Sequence, residues 1–251
     1  MKIYRFLHNG RPAVGLADGE HLFRHDGDAL HLGARVDEPP HLVASVQLLP
    51  PVEPSKIVAV GRNYADHAKE LGNDTPAEPI LFLKPPSALC ASGAEIALPA
   101  MSERVEHEAE IGVVVGSRLK DASSAEARRG VYAITCVNDV TARDLQKKDV
   151  QFTRGKGFDT FAPLGPCIET DFDPSDARLT TRVNGETRQD GRTSQMIFAL
   201  DWLFEYITAI MTLVPGDVIL TGTPSGVGPL QAGDVVEVEV EGIGVLSNAV
   251  A

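Results

Sequence analysis

At 251 residues the chain is long enough for one large domain, or for one domain with a small appendage. Its 43% apolar and 23% charged residues are ordinary for a globular protein, and no apolar run approaches the roughly 18 residues that span a bilayer. The formal net charge of −12, with no Lys/Arg run anywhere, argues against nucleic acid as a partner, because phosphate binding needs a clustered basic face.

The first residues, Met1-Lys2-Ile3-Tyr4-Arg5-Phe6, lack the apolar core and small-residue cleavage site of a signal peptide. Cys90, Cys136 and Cys167 are odd in number, widely spaced and set among apolar neighbours. They read as small core residues in a reducing compartment, so the expected location is cytoplasmic. Residues 1–50 form a small β-rich module, with Ile3 to Leu7 and Val14-Gly15-Leu16 as strands and Asn9-Gly10 and Asp18-Gly19 as turns. Pro39-Pro40 and the proline-rich residues 50–54 mark a linker region. Residues 56–251 read as one unit.

Val58-Ala59-Val60 is a short strand that Gly61-Arg62-Asn63-Tyr64 turns into a helix, with Asn63 to Asp66 patterned as a capping box. That helix carries His67 and Glu70, three residues apart and so on one face. A carboxylate beside an imidazole orients it and makes it a fit general base for water. The same spacing also suits a surface pair worth tenths of a kcal/mol.

Glu106, Glu108 and Glu110 alternate along a β-branched run that ends in Val113-Val114-Val115, so a continuous strand would put all three on one face. Stacked, desolvated like charges call for a cation, and an all-oxygen set suits Mg²⁺ or Mn²⁺. A solvated strand edge fits the spacing too. Ile134 to Asp139 is a second strand ending in an acid, which either joins the glutamates or serves a turn before a helix starting at Thr141. Asp144 reads as a capping residue of that helix.

Lys156, between Gly155 and Gly157, is placed either to meet a substrate carboxylate or as a solvated loop lysine. Strands are expected at 179–183, 218–221 and 235–240, and the longest helix over 194–211, from the stripe Ile197, Leu200, Leu203, Phe204, Ile207, Ile210 and Met211. Trp202 is assigned to packing. The glycine-rich loop 221–228 fits neither dinucleotide nor P-loop spacing, but its N–H groups and the Thr223 hydroxyl suit an anion. Arg62, Lys84, Arg143 and Lys156 beside these elements favour a small anionic ligand. No Gly-x-Ser-x-Gly elbow or electropositive cysteine supports nucleophilic catalysis. The fold expected is mixed α/β and strand-rich, without regular βαβ alternation.

Together Val60 to His67, Phe82-Leu83-Lys84-Pro85, His107-Glu108-Ala109-Glu110, Asp139 to Gln146, Lys156-Gly157-Phe158-Asp159 and Thr221-Gly222-Thr223-Pro224 resemble the fumarylacetoacetate hydrolase family, in its bacterial single-copy branch. The resemblance runs from about Lys56 to the C-terminus. It implies a β-roll core, a homodimer, and Mg²⁺ or Mn²⁺ held by Glu108, Glu110 and Asp139, with Glu106 outside the ligand set, either behind it or facing solvent. It also implies that His67 and Glu70 activate water from a mobile lid helix, and that Arg62, Arg143, Gln146, Lys156 and Thr223 line the substrate site. A 2-oxo acid substrate is then expected to chelate the metal. Water activated by His67 attacks C4 of a 2,4-dioxo acid, and carbon–carbon cleavage releases a pyruvate-type enolate that the metal and Lys156 stabilise. The same enolate serves oxaloacetate decarboxylation, keto–enol tautomerisation and the isomerisation of hydroxymuconate-type diacids such as 2-hydroxyhepta-2,4-diene-1,7-dioate in aromatic catabolism. The residues do not separate these activities. A metal-binding protein without turnover is a third reading, against which the presence of both His67 and Glu70 speaks.

Overall fold

Asn-Gly dipeptides punctuate the sequence where the chain must reverse, and they are the hairpin turns of the structure, a computed structural model describing residues 1–251. Asn9 and Gly10 have φ of 51° and 74°, and Asn184 and Gly185 have 52° and 80°. Both pairs supply the left-handed backbone that a two-residue hairpin with the native strand twist needs. Lys2–His8, Arg11–Asp18 and His21–Gly27 follow one another as antiparallel neighbours. Lys2–His8 then pairs with Ala162–Glu169, so the N-terminal strands extend the main sheet. The proline-rich joint is packed as well: Pro51, Val52 and Pro54 are buried.

The 12-stranded sheet continues from Ala162–Glu169 through Val131–Asn138, Ala109–Val115, Val218–Leu220 and Ile57–Gly61 to Ile80–Lys84. A 5-stranded sheet, built on Arg178–Val183, Val235–Val240 and Gly244–Val250, packs against one face. Ala109–Val115 is buried along its whole length, which is why it reads as an unbroken apolar run behind the acids. On one side Ile111 and Val113 share a 26-residue cluster with Leu203, Phe204, Ile207, Val238 and Leu246. On the other, Val114 packs with Ile3, Ile57, Leu164 and Ile168. Each such fully buried aliphatic side chain contributes about 1.5–3 kcal/mol.

Four expected details differ. The longest helix is Leu200–Ile210, shorter than the apolar stripe. Ile197 and Phe198 precede it in a bend, where their N–H groups donate to Asn63, to its backbone oxygen (2.8 Å) and its side chain (2.7 Å). The helix carrying His67 and Glu70 is Ala65–Glu70 with Tyr64 at its N-cap and no side-chain cap; Asn63 instead spans to Phe198 and Thr221. Thr141 belongs to a two-residue strand, and the helix that follows is Arg143–Lys148. Asp144 does not act through capping alone: it accepts from Ser102 Oγ (2.6 Å) and the Glu103 N–H (3.0 Å), tying down the loop that leads to Glu106. Trp202 packs on the surface, stacked between Phe198 (4.9 Å) and Tyr206 (5.3 Å) and 40% exposed.

Candidate active site

Strand polarity brings the reactive side chains together. Ala109 pairs with Asn138, and Gly112 with Leu220, so the start of the 109–115 strand meets the ends of the 131–138 and 218–220 strands. Ile57–Gly61 runs parallel to Val218–Leu220, which delivers Gly61 and Arg62 to the same edge. The expectation that Glu106, Glu108 and Glu110 share one face of one strand is corrected here. Regular pairing breaks at Glu108. Val105–His107 belongs to a separate 3-stranded sheet, and the Glu108 N–H donates to Asn138 Oδ1 (2.9 Å). Arg143 stands between Glu106 and Glu108, donating to Glu106 Oε2 (2.6 Å) and to Glu108 Oε1. Glu106 is buried, not solvent-facing, and outside the acid trio.

Glu108, Glu110 and Asp139 are buried, with one oxygen from each within 4.8 Å of the other two. Lys156 Nζ bridges Glu108 Oε2 (2.7 Å) and Asp139 Oδ2 (2.6 Å), with the Phe82 ring 5.0 Å away. Lys84 Nζ donates to Asp139 Oδ1 and to the Val140 carbonyl (3.1 Å). Glu110 receives only the Gly222 N–H, at 2.6 Å. Gly222 holds φ of 95°, and a Cβ there would come within 2.7 Å of Asn63 Cβ, so this donor position requires glycine.

These partners separate the acids electrostatically. Burial alone would raise the Glu108 carboxyl, but Lys156, Arg143 and His67 outweigh it and hold it well below the carboxylate range. Burial, reinforced by Asp139 and Glu108, pushes Glu110 well above that range. Burial also lowers the Lys84 ammonium, only partly offset by Asp139, whereas Asp139 and Glu108 overcome burial at Lys156 and raise it. Glu106, Glu108 and Asp139 thus pair with the three buried cations Lys84, Arg143 and Lys156, and Glu110 has no cation of its own. A divalent ion among Glu108, Glu110 and Asp139 would give Glu110 a positive partner in place of its proton, and the all-oxygen donor set fits a hard one such as Mg²⁺ or Mn²⁺.

A cavity of about 400 Å³ opens onto the trio. It is lined by Arg62, His67, Arg143, Gln146, Lys156 and Thr223 as well as the three acids, so only Glu70 of the expected site residues stands outside the lining. Glu70 lies behind His67, its Oε2 3.4 Å from Nδ1, and is held by the Gly226 N–H at 3.0 Å. The glycine-rich loop therefore does bind anions, but they are the protein's own carboxylates, Glu110 and Glu70. Burial lowers the His67 imidazole below its ordinary value and outweighs Glu108, so the ring is neutral at pH 7. Gln146 accepts from Arg143 Nη1 (2.6 Å).

Gln189 did not figure among the sequence candidates, and Lys84 figured only as one of the cations beside the site elements. Lys84 closes the apolar strand Ile80–Lys84, and the structure gives it a partner the sequence did not indicate, Asp139. Nothing local marks Gln189 within the polar strand Glu186–Arg192. Its Oε1 accepts from His107 Nδ1 (3.0 Å), the Ala109 N–H (3.0 Å) and Thr181 Oγ (2.7 Å), and its Nε2 donates to Thr223 Oγ (2.7 Å) and the Pro224 carbonyl (2.8 Å). One buried amide thus fixes the backbone between Glu108 and Glu110 to the loop carrying Thr223. Gln189→Leu keeps the volume but strands these groups, at about 1–3 kcal/mol for each left unsatisfied, so urea unfolding is expected to report a loss above about 3 kcal/mol. A loss below about 1 kcal/mol would mean that the network relaxes freely.

Comparison with known proteins agrees with this architecture. The family description "Fumarylacetoacetate (FAA) hydrolase C-terminal" matches residues 56–251, and "Rv2993c-like, N-terminal" matches residues 1–51. The chain is 45% identical over 195 residues to the mitochondrial oxaloacetate decarboxylase of Dictyostelium discoideum, covering 75% of this chain and 89% of that protein. It superposes on the 5-carboxymethyl-2-hydroxymuconate delta-isomerase of Mycobacterium smegmatis with a TM-score of 0.92 at 43% identity, covering 100% and 99% of the two chains. On the fumarylpyruvate hydrolase of Pseudomonas aeruginosa, solved with Mn²⁺ and pyruvate, the TM-score is 0.75 at 33% identity over 82% of this chain and 91% of that one. With three quarters of its length matched to the family and its fold shared end to end, the chain belongs to the fumarylacetoacetate hydrolase family.

Proposed function

We propose that this protein is a divalent-metal-dependent hydrolase that cleaves a carbon–carbon bond in small 2,4-dioxo acids of the acylpyruvate type. The observation that carries the reading is a buried His67, its imidazole pKa lowered by burial, facing the same cavity as an acid trio in which Glu110 has no cationic partner. Glu108, Glu110 and Asp139 would hold Mg²⁺ or Mn²⁺, and the bound cation supplies Lewis-acid stabilisation of negative charge on a 2-oxo acid.

His67 takes a proton from water, and Glu70 orients the ring and stabilises the imidazolium that forms. The resulting hydroxide adds to the C4 carbonyl. The C3–C4 bond then breaks, its electron pair passing to the pyruvate fragment as an enolate while C4 leaves as a carboxylic acid. Lys156 stands where negative charge develops, fixed by two acids so that little reorganisation is needed. The proton held by His67 returns to the enolate carbon and completes the balance. Arg62 and Lys147, also in the lining, suit a second carboxylate at the far end of the substrate.

The second reading, oxaloacetate decarboxylation or tautomerisation, rests on those two cations and on the 45% identity to a protein named for the decarboxylation. The isomerisation of hydroxymuconate-type diacids draws on the same features. Assaying the chain with Mg²⁺ against acetylpyruvate, oxaloacetate and a hydroxymuconate-type diacid separates the readings. Turnover of acetylpyruvate supports the hydrolase; turnover of oxaloacetate or the diacid alone moves the assignment to the lyase or the isomerase. Silence on all three contradicts both readings.

Burial sets the expected pH dependence. The His67 pKa lies below its ordinary 6.5, so the base stays deprotonated as pH falls until that lowered value is passed. The acid limb of kcat/KM for an acylpyruvate should therefore fall below pH 6.5. A limb above neutral pH would show a different base.

A further inference from the structure

One other place in the molecule gathers metal-ligating side chains. His8 ends the strand Lys2–His8, His41 opens the strand His41–Leu42, and Glu38 lies in the loop before it. One ligand atom from each is within 4.8 Å of the other two. The His8 and His41 rings meet edge to face with centroids 5.1 Å apart, and both pack on the buried Phe6 ring, at 6.5 and 5.5 Å. Packing on Phe6 restricts how the imidazoles can turn. His41 Nε2 lies 3.4 Å from Glu38 Oε1. Arg24 grips Glu38 through Nε (2.8 Å) and Nη2 (2.9 Å) and holds the carboxyl down to about 2, so it is ionised throughout the neutral range.

Two imidazoles and one carboxylate form the donor set of open zinc sites, in which water takes the fourth position. Ring nitrogens prefer borderline transition ions to Mg²⁺, which separates this cluster from the all-oxygen trio. Arg24 plays the outer-shell part that fixes a ligating carboxylate. We propose that His8, Glu38 and His41 form a second metal site, selective for a borderline transition ion such as Zn²⁺, in the N-terminal strands. All three are half-buried, so an ion can reach them from solvent. The Asn9 amide that now donates to His8 Nε2 (2.9 Å) is exposed and free to turn aside. Filling the site links the end of the first strand to the 36–42 segment, which the sheet holds by two paired positions, His21 to Leu42 and Leu22 to His41, and by the Val36 N–H on the Arg24 carbonyl (2.9 Å). The expected effect is local stabilisation of this sheet edge.

The test uses the full chain, with excess Mg²⁺ to fill the oxygen site and Co²⁺ as the spectroscopic probe for Zn²⁺. The wild type should bind one equivalent of Co²⁺ with the intense visible bands of a low-coordinate, nitrogen-ligated ion, and Zn²⁺ should displace it. His8→Ala and His41→Ala should each weaken binding by more than about tenfold, beyond the loss typical of an outer-shell partner. Glu38→Gln, which keeps the shape, repeats the test, and far-UV circular dichroism checks that each variant is folded. Zn²⁺ should raise the melting temperature of the wild type and not of His41→Ala. Absence of the bands, their survival in both histidine variants, or their loss in Glu108→Ala instead would overturn the proposal.

Discussion

Replacing Glu108 by alanine is expected to abolish metal binding and turnover together while leaving the chain folded. The variant removes one of three oxygen donors, but its neighbours keep partners: Lys156 retains Asp139, and Arg143 retains Glu106 and Gln146. The unpaired buried cation that makes such substitutions ruinous is thereby avoided. A catalytic cation supplies several kcal/mol of charge stabilisation, and each 1.36 kcal/mol is tenfold in rate, so turnover should fall at least about a thousandfold. Equilibrium dialysis with Mn²⁺ and a substrate assay on the same preparation check both halves. A variant that turned over substrate without binding metal would remove the cation from the chemistry.

His67→Ala separates water activation from metal binding. Loss of a general base costs about 10²- to 10⁴-fold, so hydrolysis of an acylpyruvate should drop by that range. Metal affinity should be spared, because no hydrogen bond or ion pair joins His67 to the acid trio, and Glu70 keeps its Gly226 donor. Decarboxylation of oxaloacetate needs no attacking water and should survive. Undiminished acylpyruvate hydrolysis would assign the base to another group.

The acids and the glycine-rich loop were legible in the sequence because strands place residues with a fixed period and glycine announces special backbone. Asp139 was readable as the end of a strand, and it falls beside Glu108 because the two strands pair antiparallel. What failed was continuity. Nothing in the alternating run marks the break at Glu108, which depends on Asn138 and Arg143 reaching in from other segments. Helix starts failed for a similar reason: Asn63 and Asp144 have capping chemistry, but distant partners at Phe198, Thr221 and Ser102 compete for it and win. Lys84 and Gln189 act entirely through contacts between residues far apart in the chain, where local periodicity carries no information.

The most direct test of the central claim, that Glu108, Glu110 and Asp139 hold the cation on which turnover depends, is a metal titration. Protein stripped with chelator is titrated with Mn²⁺, and bound metal and turnover of the substrate identified in the panel are measured in the same samples. The account predicts no turnover in the stripped protein, activity rising in step with bound Mn²⁺, and neither response in Glu108→Ala. Full turnover in the stripped protein, or activity indifferent to the metal bound, would contradict it.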